Sequence, residues 1–285
     1  MLDEIIKVLP CSISKEILNI GSREGITEIR LRAGKRGIVI ASKTEILLSC
    51  VITIKDLLDI LVNISRNSIY AIQNDINSGF VVIKGGHRVG ISGNVVMEED
   101  KVININYIYS LNFRIARQII GVSEKILSEV INNDNIYNTL IISPPGAGKT
   151  TILRDLIRNI SKIKTVGVVD ERGEITAMYK NEPQNDMGLK VDILSNVSKA
   201  IGMKILVRSM APDLICADEI GTKEDIEAIK YAITSGVKGI FTAHGDSVEN
   251  IQKSPILKEL LELNIIDKII ILNKKDRDRL SIIKI

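Results

Sequence analysis

The stretch Thr139-Leu140-Ile141-Ile142-Ser143-Pro144-Pro145-Gly146-Ala147-Gly148-Lys149-Thr150-Thr151 has the residue types and spacing for phosphate chemistry. A short apolar run ends in a Gly/Pro-rich turn, and Lys-Thr-Thr then opens an amphipathic helix, which is the order of a P-loop. Small residues let consecutive backbone N–H groups curl around a phosphate, and the helix N-terminus adds its dipole. Ser143, Pro144, Pro145, Gly146, Ala147, Gly148, Lys149, Thr150 and Thr151 are therefore the expected nucleotide-binding set. Lys149 is placed to reach the β- and γ-phosphates, and the Thr150 hydroxyl to ligate Mg²⁺. One position departs from the pattern. Ser143 stands where the first glycine is expected, and serine enters positive φ less readily, so the loop's entry geometry is the point to check.

Two further stretches place acids where open α/β sheets hold their ligands, at the carboxyl ends of buried strands. Leu214-Ile215-Cys216-Ala217-Asp218-Glu219 reads as a Walker B: Asp218 would hold Mg²⁺, and Glu219 would activate the attacking water. Thr165-Val166-Gly167-Val168-Val169-Asp170-Glu171 is the second. Its acids suit orienting a water or a Mg²⁺-bound water, with Asp170 toward the metal and Glu171 toward catalysis; a salt-bridged loop is the plainer alternative. His244 ends the strand Val237 to Ala243, where a neighbour of the Walker B strand would point a sensor at the γ-phosphate. His87 has no second histidine or cysteine cluster near it and reads as a turn residue.

The elements that must position these groups are legible from periodicity. Leu2, Ile5, Ile6, Leu9, Ile13, Ile17, Leu18 and Ile20 suit one or two short helices, for which packing on a core is a commoner use than lying on a membrane surface. Glu28 to Arg32 alternates like a strand, with Ile38-Val39-Ile40 as its return. Thr53 starts a helix carrying Leu57, Leu58, Ile60, Leu61 and Ile64. A Gly-rich hairpin covers residues 79–91. Leu111 to Arg117 reads as a final strand, which would send Arg114 and Arg117 to opposite faces. Residues 122–132 form a helix, residues 178–198 a polar surface loop, and Ile265 to Ile285 a closing edge hairpin with a turn at residues 273–278.

The whole chain agrees with a globular reading. Its 285 residues allow two domains of ordinary size, and the apolar and charged fractions are both near average. A net charge of +3 without long basic blocks does not point to nucleic acid or anionic lipid. Cys11, Cys50 and Cys216 form no metal or disulfide pattern, which fits a reducing compartment. The sequence has neither an apolar run long enough to cross a bilayer nor a signal peptide's start. The expected fold is α/β: a smaller N-terminal α+β domain over residues 1–112 and a RecA-like P-loop core over residues 113–285.

Several motifs together resemble the ATPase superfamily of type II and type IV secretion and pilus assembly, and in particular its sporulation-specific members in spore-forming Firmicutes. They are Glu28-Ile29-Arg30-Leu31-Arg32, Gly85-Gly86-His87-Arg88-Val89-Gly90, Phe113-Arg114-Ile115-Ala116-Arg117, the P-loop, Val168-Val169-Asp170-Glu171-Arg172, Pro183-Gln184-Asn185-Asp186 and Ala217-Asp218-Glu219-Ile220-Gly221. Asp170-Glu171 is similar to the superfamily's aspartate box. Ala243-His244-Gly245 is similar to the second half of its histidine box, whose first histidine is replaced by Val237. The resemblance implies a ring, usually a hexamer, with ATP and Mg²⁺ between the two domains and arginines near the nucleotide. Arg88, Arg114 and Arg117 are the candidates for that role. It also implies an integral membrane partner at the cytoplasmic face of the mother-cell membrane, and a secretion-like channel between mother cell and forespore as the thing energised. Two rival readings are a RecA-like nucleic-acid motor, which would show steep salt dependence, and a non-hydrolysing ATP-gated scaffold. The scarcity of aromatic residues for base stacking counts against the first.

Overall fold

The computed structural model describes residues 2–21, 25–42, 44–66, 68, 72–273 and 280–284. They divide into two units, Met1–Arg117 with Ala177–Gln184, and Gln118–Thr176 with Asn185–Ile285. The division falls at Arg117 rather than at residue 112 because the last strand of the first unit is paired on both sides through Arg114.

The first unit opens with two short helices, α1 (Asp3–Ile6) and α2 (Cys11–Leu18). The strands β1 (Ile26–Arg32), β2 (Arg36–Ala41) and β3 (Thr44–Val51) follow, then the helices α3 (Ile54–Ser65) and α4 (Gln73–Asn77). A meander of β4 (Phe80–Ile83), β5 (His87–Glu98) and β6 (Lys101–Arg114) completes an antiparallel sheet in the order β3-β2-β1-β6-β5-β4. Strict alternation decides the faces. Ile29, Leu31, Leu111, Phe113 and Val89 turn inward to a core shared with Leu57, Ile60 and Leu61 of α3. Thr53 and Asp56 close a capping box at the start of α3, as the sequence suggests. On the other face, Glu28 and Arg88 both stand opposite Arg114 in the strand register. The sequence reading missed β3 and the first ten residues of β6, where alternation is weak.

The hairpin turn of the first unit is a packing junction. Gly85 and Gly86 both have positive φ, 87° and 74°. A Cβ on Gly86 would lie 2.7 Å from the Cβ of Ala177, so only glycine fits there. The Gly85 N–H donates to Gln184 Oε1 at 2.8 Å, and the Ala116 N–H donates to His87 Nδ1 at 3.0 Å. His87, at the end of that turn, is fully buried and pins it.

The second unit begins with α5 (Glu124–Val130) and a small hairpin of β7 (Ile131–Asn132) and β8 (Asn135–Ile136). Then come β9 (Thr139–Ser143), α6 (Lys149–Ile160), β10 (Val166–Asp170), β11 (Val191–Ser195), α7 (Lys199–Met210) and β12 (Leu214–Ala217). The chain closes with α8 (Lys223–Thr234), β13 (Lys238–His244), α9 (Val248–Lys253), α10 (Pro255–Glu262), β14 (Lys268–Leu272) and β15 (Leu280–Lys284). The sheet order is β11-β10-β12-β13-β9-β14-β15, parallel except for β15. Central strands with both faces covered read as continuous apolar runs, which is why β9, β10 and β12 are buried at every position. Leu140 and Ile142 of β9 point into the layer of α7, α8, α9 and α10, and Ile141 into that of α5 and α6.

Part of the stretch 178–198 is not a loop. Val191–Ser195 pairs in parallel with β10 as an edge strand, and Ala177–Gln184 belongs to the first unit. The edge hairpin of β14 and β15 is present; its turn from residue 274 to residue 279 lies outside the described residues.

Candidate functional site

Parallel pairing brings the carboxyl ends of four strands level. Val169 of β10 stands beside Ala217 of β12, Ala217 beside Phe241 of β13, and His244 beside Ser143 of β9. The groups that follow these strand ends therefore share one rim of the sheet. From β9 the chain passes through Pro144 and Pro145 into Gly146 and Gly148, with φ of 77° and 102°. A Cβ on either glycine would meet nothing within 4 Å, so the left-handed backbone, and not crowding, calls for glycine. Ser143 does not have positive φ. It is the last buried residue of β9, and its hydroxyl donates to the Pro144 carbonyl at 2.8 Å, so serine replaces glycine there without backbone strain.

Gly148 caps α6, and Lys149, Thr150 and Thr151 form its first turn. The N–H groups of this turn have no intrahelical acceptor, which leaves them for an anion. Lys149 is buried, and burial pushes its ammonium below the ordinary value against the opposing pull of Asp218 and Glu219. Its Nζ lies 3.1 Å from His244 Nδ1. His244 Nε2 lies 3.1 Å from Glu219 Oε1, and Arg172 Nη1 lies 2.5 Å from Glu219 Oε2. A neutral His244 with its proton on Nε2 satisfies both contacts, accepting from the lysine and donating to the carboxylate.

Asp218 faces the P-loop. Its Oδ2 accepts from the Thr150 hydroxyl at 2.5 Å, and its Oδ1 accepts from the Thr242 hydroxyl. Thr242 also accepts the Glu219 N–H at 2.9 Å, so one buried threonine on β13 orients both acids. Glu219 sits in the left-handed region at φ 54°, an uncommon conformation for a residue with a side chain and one found at functional turns.

The other acid pair is used differently from the expectation. Asp170 is almost fully buried, and its two oxygens accept four donors: the N–H groups of Glu174, Ile175 and Thr176 and the Thr176 hydroxyl. Arg154 holds the same loop from α6, donating to the Glu174 and Ile175 carbonyls at 2.7 and 2.9 Å. Asp170 is thus a loop-folding residue and not placed as a metal ligand, because its lone pairs are taken up by the loop's N–H groups and the Thr176 hydroxyl. Glu171 pairs with the buried Lys199 at the start of α7. Glu171 and Lys199 line, with Asp218, Glu219 and Arg172, a cavity of about 10 Å³, the size of about one water.

Arg88, Arg114 and Arg117 all belong to the first unit. Arg88 stacks on the Phe80 ring at 3.8 Å, and Arg117 donates to the Ile26 carbonyl at 2.6 Å. The P-loop, Asp218, Glu219 and His244 are the sequence-derived residues that come together. Thr242, Arg172 and Lys199 were missed. Thr242 carried a signal, as a polar residue inside an apolar strand. So did Lys199, a cation in a helix first turn where the dipole disfavours it unless an acid answers it.

The residues present suit a nucleoside triphosphate with Mg²⁺. A helix start with free N–H groups, a desolvated lysine and a hydroxyl–carboxylate pair supply anion and hard-cation ligands. Among the described residues no cluster of three or more His, Cys, Asp or Glu could form an all-protein metal cage. A cation here would share its ligands with phosphates and water.

The family described as "Sporulation stage III, protein AA" matches residues 2–282. The chain belongs to that family. It is 38% identical over 282 residues to Stage III sporulation protein AA of Bacillus subtilis (strain 168), covering 96% of this chain and 91% of the relative. Among solved structures it is similar to the pilus retraction motor PilT with bound ADP, at TM-score 0.63 and 16% identity over 92% of this chain and 77% of that one. It is similar also to the Legionella pneumophila ATPase DotB, at TM-score 0.57 and 15% identity over 95% and 79%. At such identities the likeness fixes the fold: a RecA-like core with a smaller N-terminal α+β unit, as in secretion ATPases. Among the described residues no helix is long and apolar enough to cross a membrane.

Proposed function

We infer that this chain is a Mg²⁺-dependent ATPase motor that energises a sporulation-specific, secretion-like channel between mother cell and forespore. The observation that carries the reading is the convergence on one rim of Lys149, Thr150, Asp218, Glu219 and His244, linked by contacts of 2.5 to 3.1 Å. The P-loop N–H groups and Lys149 bind the phosphates. Thr150 and Asp218 would hold Mg²⁺, which when bound neutralises charge on the β- and γ-phosphates. Glu219 orients the attacking water and takes up its proton, in the polar cavity that it lines with Asp218 and Glu171. His244 stands between Lys149 and Glu219, where a γ-phosphate arriving at the lysine would disturb its contacts. Arg88, Arg114 and Arg117 remain the candidates for arginines that serve the nucleotide.

Family membership supports the sporulation setting, and the fold shared with PilT and DotB supports a motor that works as a homo-oligomer, with a hexameric ring as the proposed state. The proposed place of action is the cytoplasmic face of the mother-cell membrane, through an integral membrane partner of the channel. The test is steady-state ATPase activity against protein concentration, wild type beside Lys149→Ala. Specific activity that rises with concentration and vanishes in the variant supports shared sites in an assembling ring. Activity that survives Lys149→Ala overturns the P-loop assignment.

A further inference from the structure

Arg172 is not one of the residues that the reading above uses, yet it is built in a particular way. Its backbone lies inside a closed loop, since the N–H groups of Glu174, Ile175 and Thr176 after it bond back to Asp170 before it. Asp170, two residues before it, is locked into the loop by four hydrogen bonds, and Glu171 is tied to the buried Lys199. The guanidinium, by contrast, is 64% exposed on its side chain while lying 2.5 Å from Glu219. A fixed base and a solvent-facing head leave it short of what a buried structural ion pair looks like.

The contacts run in one line, Arg172 to Glu219 to His244 to Lys149, at 2.5, 3.1 and 3.1 Å. Both oxygens of the proposed water-orienting carboxylate are engaged by these neighbours. A guanidinium fork matches a phosphate as well as it matches a carboxylate, and the bond to either is charge-assisted. An ATP γ-phosphate seated at Lys149 would bring a dianionic competitor to the same row. ADP would not.

We propose that Arg172 is a γ-phosphate-sensing arginine acting within its own chain: it pairs with Glu219 when the γ-phosphate is absent and with the γ-phosphate when ATP is bound, releasing Glu219 to orient water. This deepens the ATPase reading and rests on it.

The experiment measures equilibrium affinity for ADP and for a non-hydrolysable ATP analogue, each with Mg²⁺, in wild type, Arg172→Ala, Arg172→Lys, Glu219→Gln and the Arg172→Ala/Glu219→Gln double variant. Thermal melting of each protein serves as the fold control. Arg172→Ala is expected to weaken the ATP analogue about ten-fold, the loss of one charge-assisted contact, and to leave ADP within about two-fold. Arg172→Lys should fall between. Glu219→Gln should tighten the analogue about three-fold by removing the competitor, a gain that disappears in the double variant. Equal weakening of ADP and analogue would reduce Arg172 to a structural ion pair, and no change in either would overturn the proposal. Lys149→Ala run alongside separates the two levels. If that variant binds both nucleotides as wild type does, the P-loop reading itself has failed, and the sensing role falls with it.

Discussion

Asp170-Glu171 and Asp218-Glu219 are written alike. Each pair follows a buried apolar strand, and the two strands, β10 and β12, are parallel neighbours. Their chemistry differs because of what surrounds the oxygens. The backbone after Asp170 curls back so that three N–H groups and a hydroxyl converge on its carboxylate. The backbone after Asp218 turns away through the left-handed Glu219, and Asp218 meets side-chain hydroxyls from α6 and β13 instead. One acid is consumed in folding a loop. The other faces the loop after β9 and, in the proposed function, serves a ligand. An acid at a strand end is therefore not a metal site until its lone pairs are counted.

Four substitutions press on this contrast. Glu219→Gln should lower turnover about 10³-fold while ATP binding stays intact or tightens, read by phosphate release and by analogue titration. Asp218→Asn should lower turnover about 10²-fold and raise the Mg²⁺ concentration needed for half-maximal rate, with little change in melting temperature. Asp170→Ala should do the reverse. It orphans buried donors and is expected to cost about 3 kcal/mol of stability, visible as a lower denaturation midpoint. If it instead leaves stability intact and shifts the Mg²⁺ requirement, the distinction between the two pairs collapses. Lys199→Met should have the smallest effect. It frees a partly exposed Glu171, and the expected loss is about 1 kcal/mol of stability. A turnover loss as large as that of Glu219→Gln would move Glu171 into the catalytic set.

The legibility of the chain followed the same division. The strand–loop–helix from β9 to α6 was readable because glycine, lysine and hydroxyl residues at fixed spacing have few other uses, and because α6 shows clean helical periodicity. β11 was not readable, since an edge strand buried only halfway at each position carries no sharp alternation. Asp170's role was hidden for another reason. Three of its four donors are backbone N–H groups, which every residue except proline possesses and no sequence advertises. Arg172 was visible as a letter of a motif, but its pairing with Glu219 depends on the strand order, which sequence reading left undefined.

The residence of Ala177–Gln184 in the first unit means that the chain crosses between units three times, after Arg117, after Thr176 and after Gln184. Neither half is thus encoded as one uninterrupted span. A graft that lifted residues 118–285 onto another N-terminal unit would carry away the segment that fills the space against Gly86 and supplies the acceptor for the Gly85 N–H. The donor half would be left with a gap and the recipient with a mismatched insert. Recombination at a single linker is consequently a poor route to new versions of this protein, and its two halves are expected to have been inherited together.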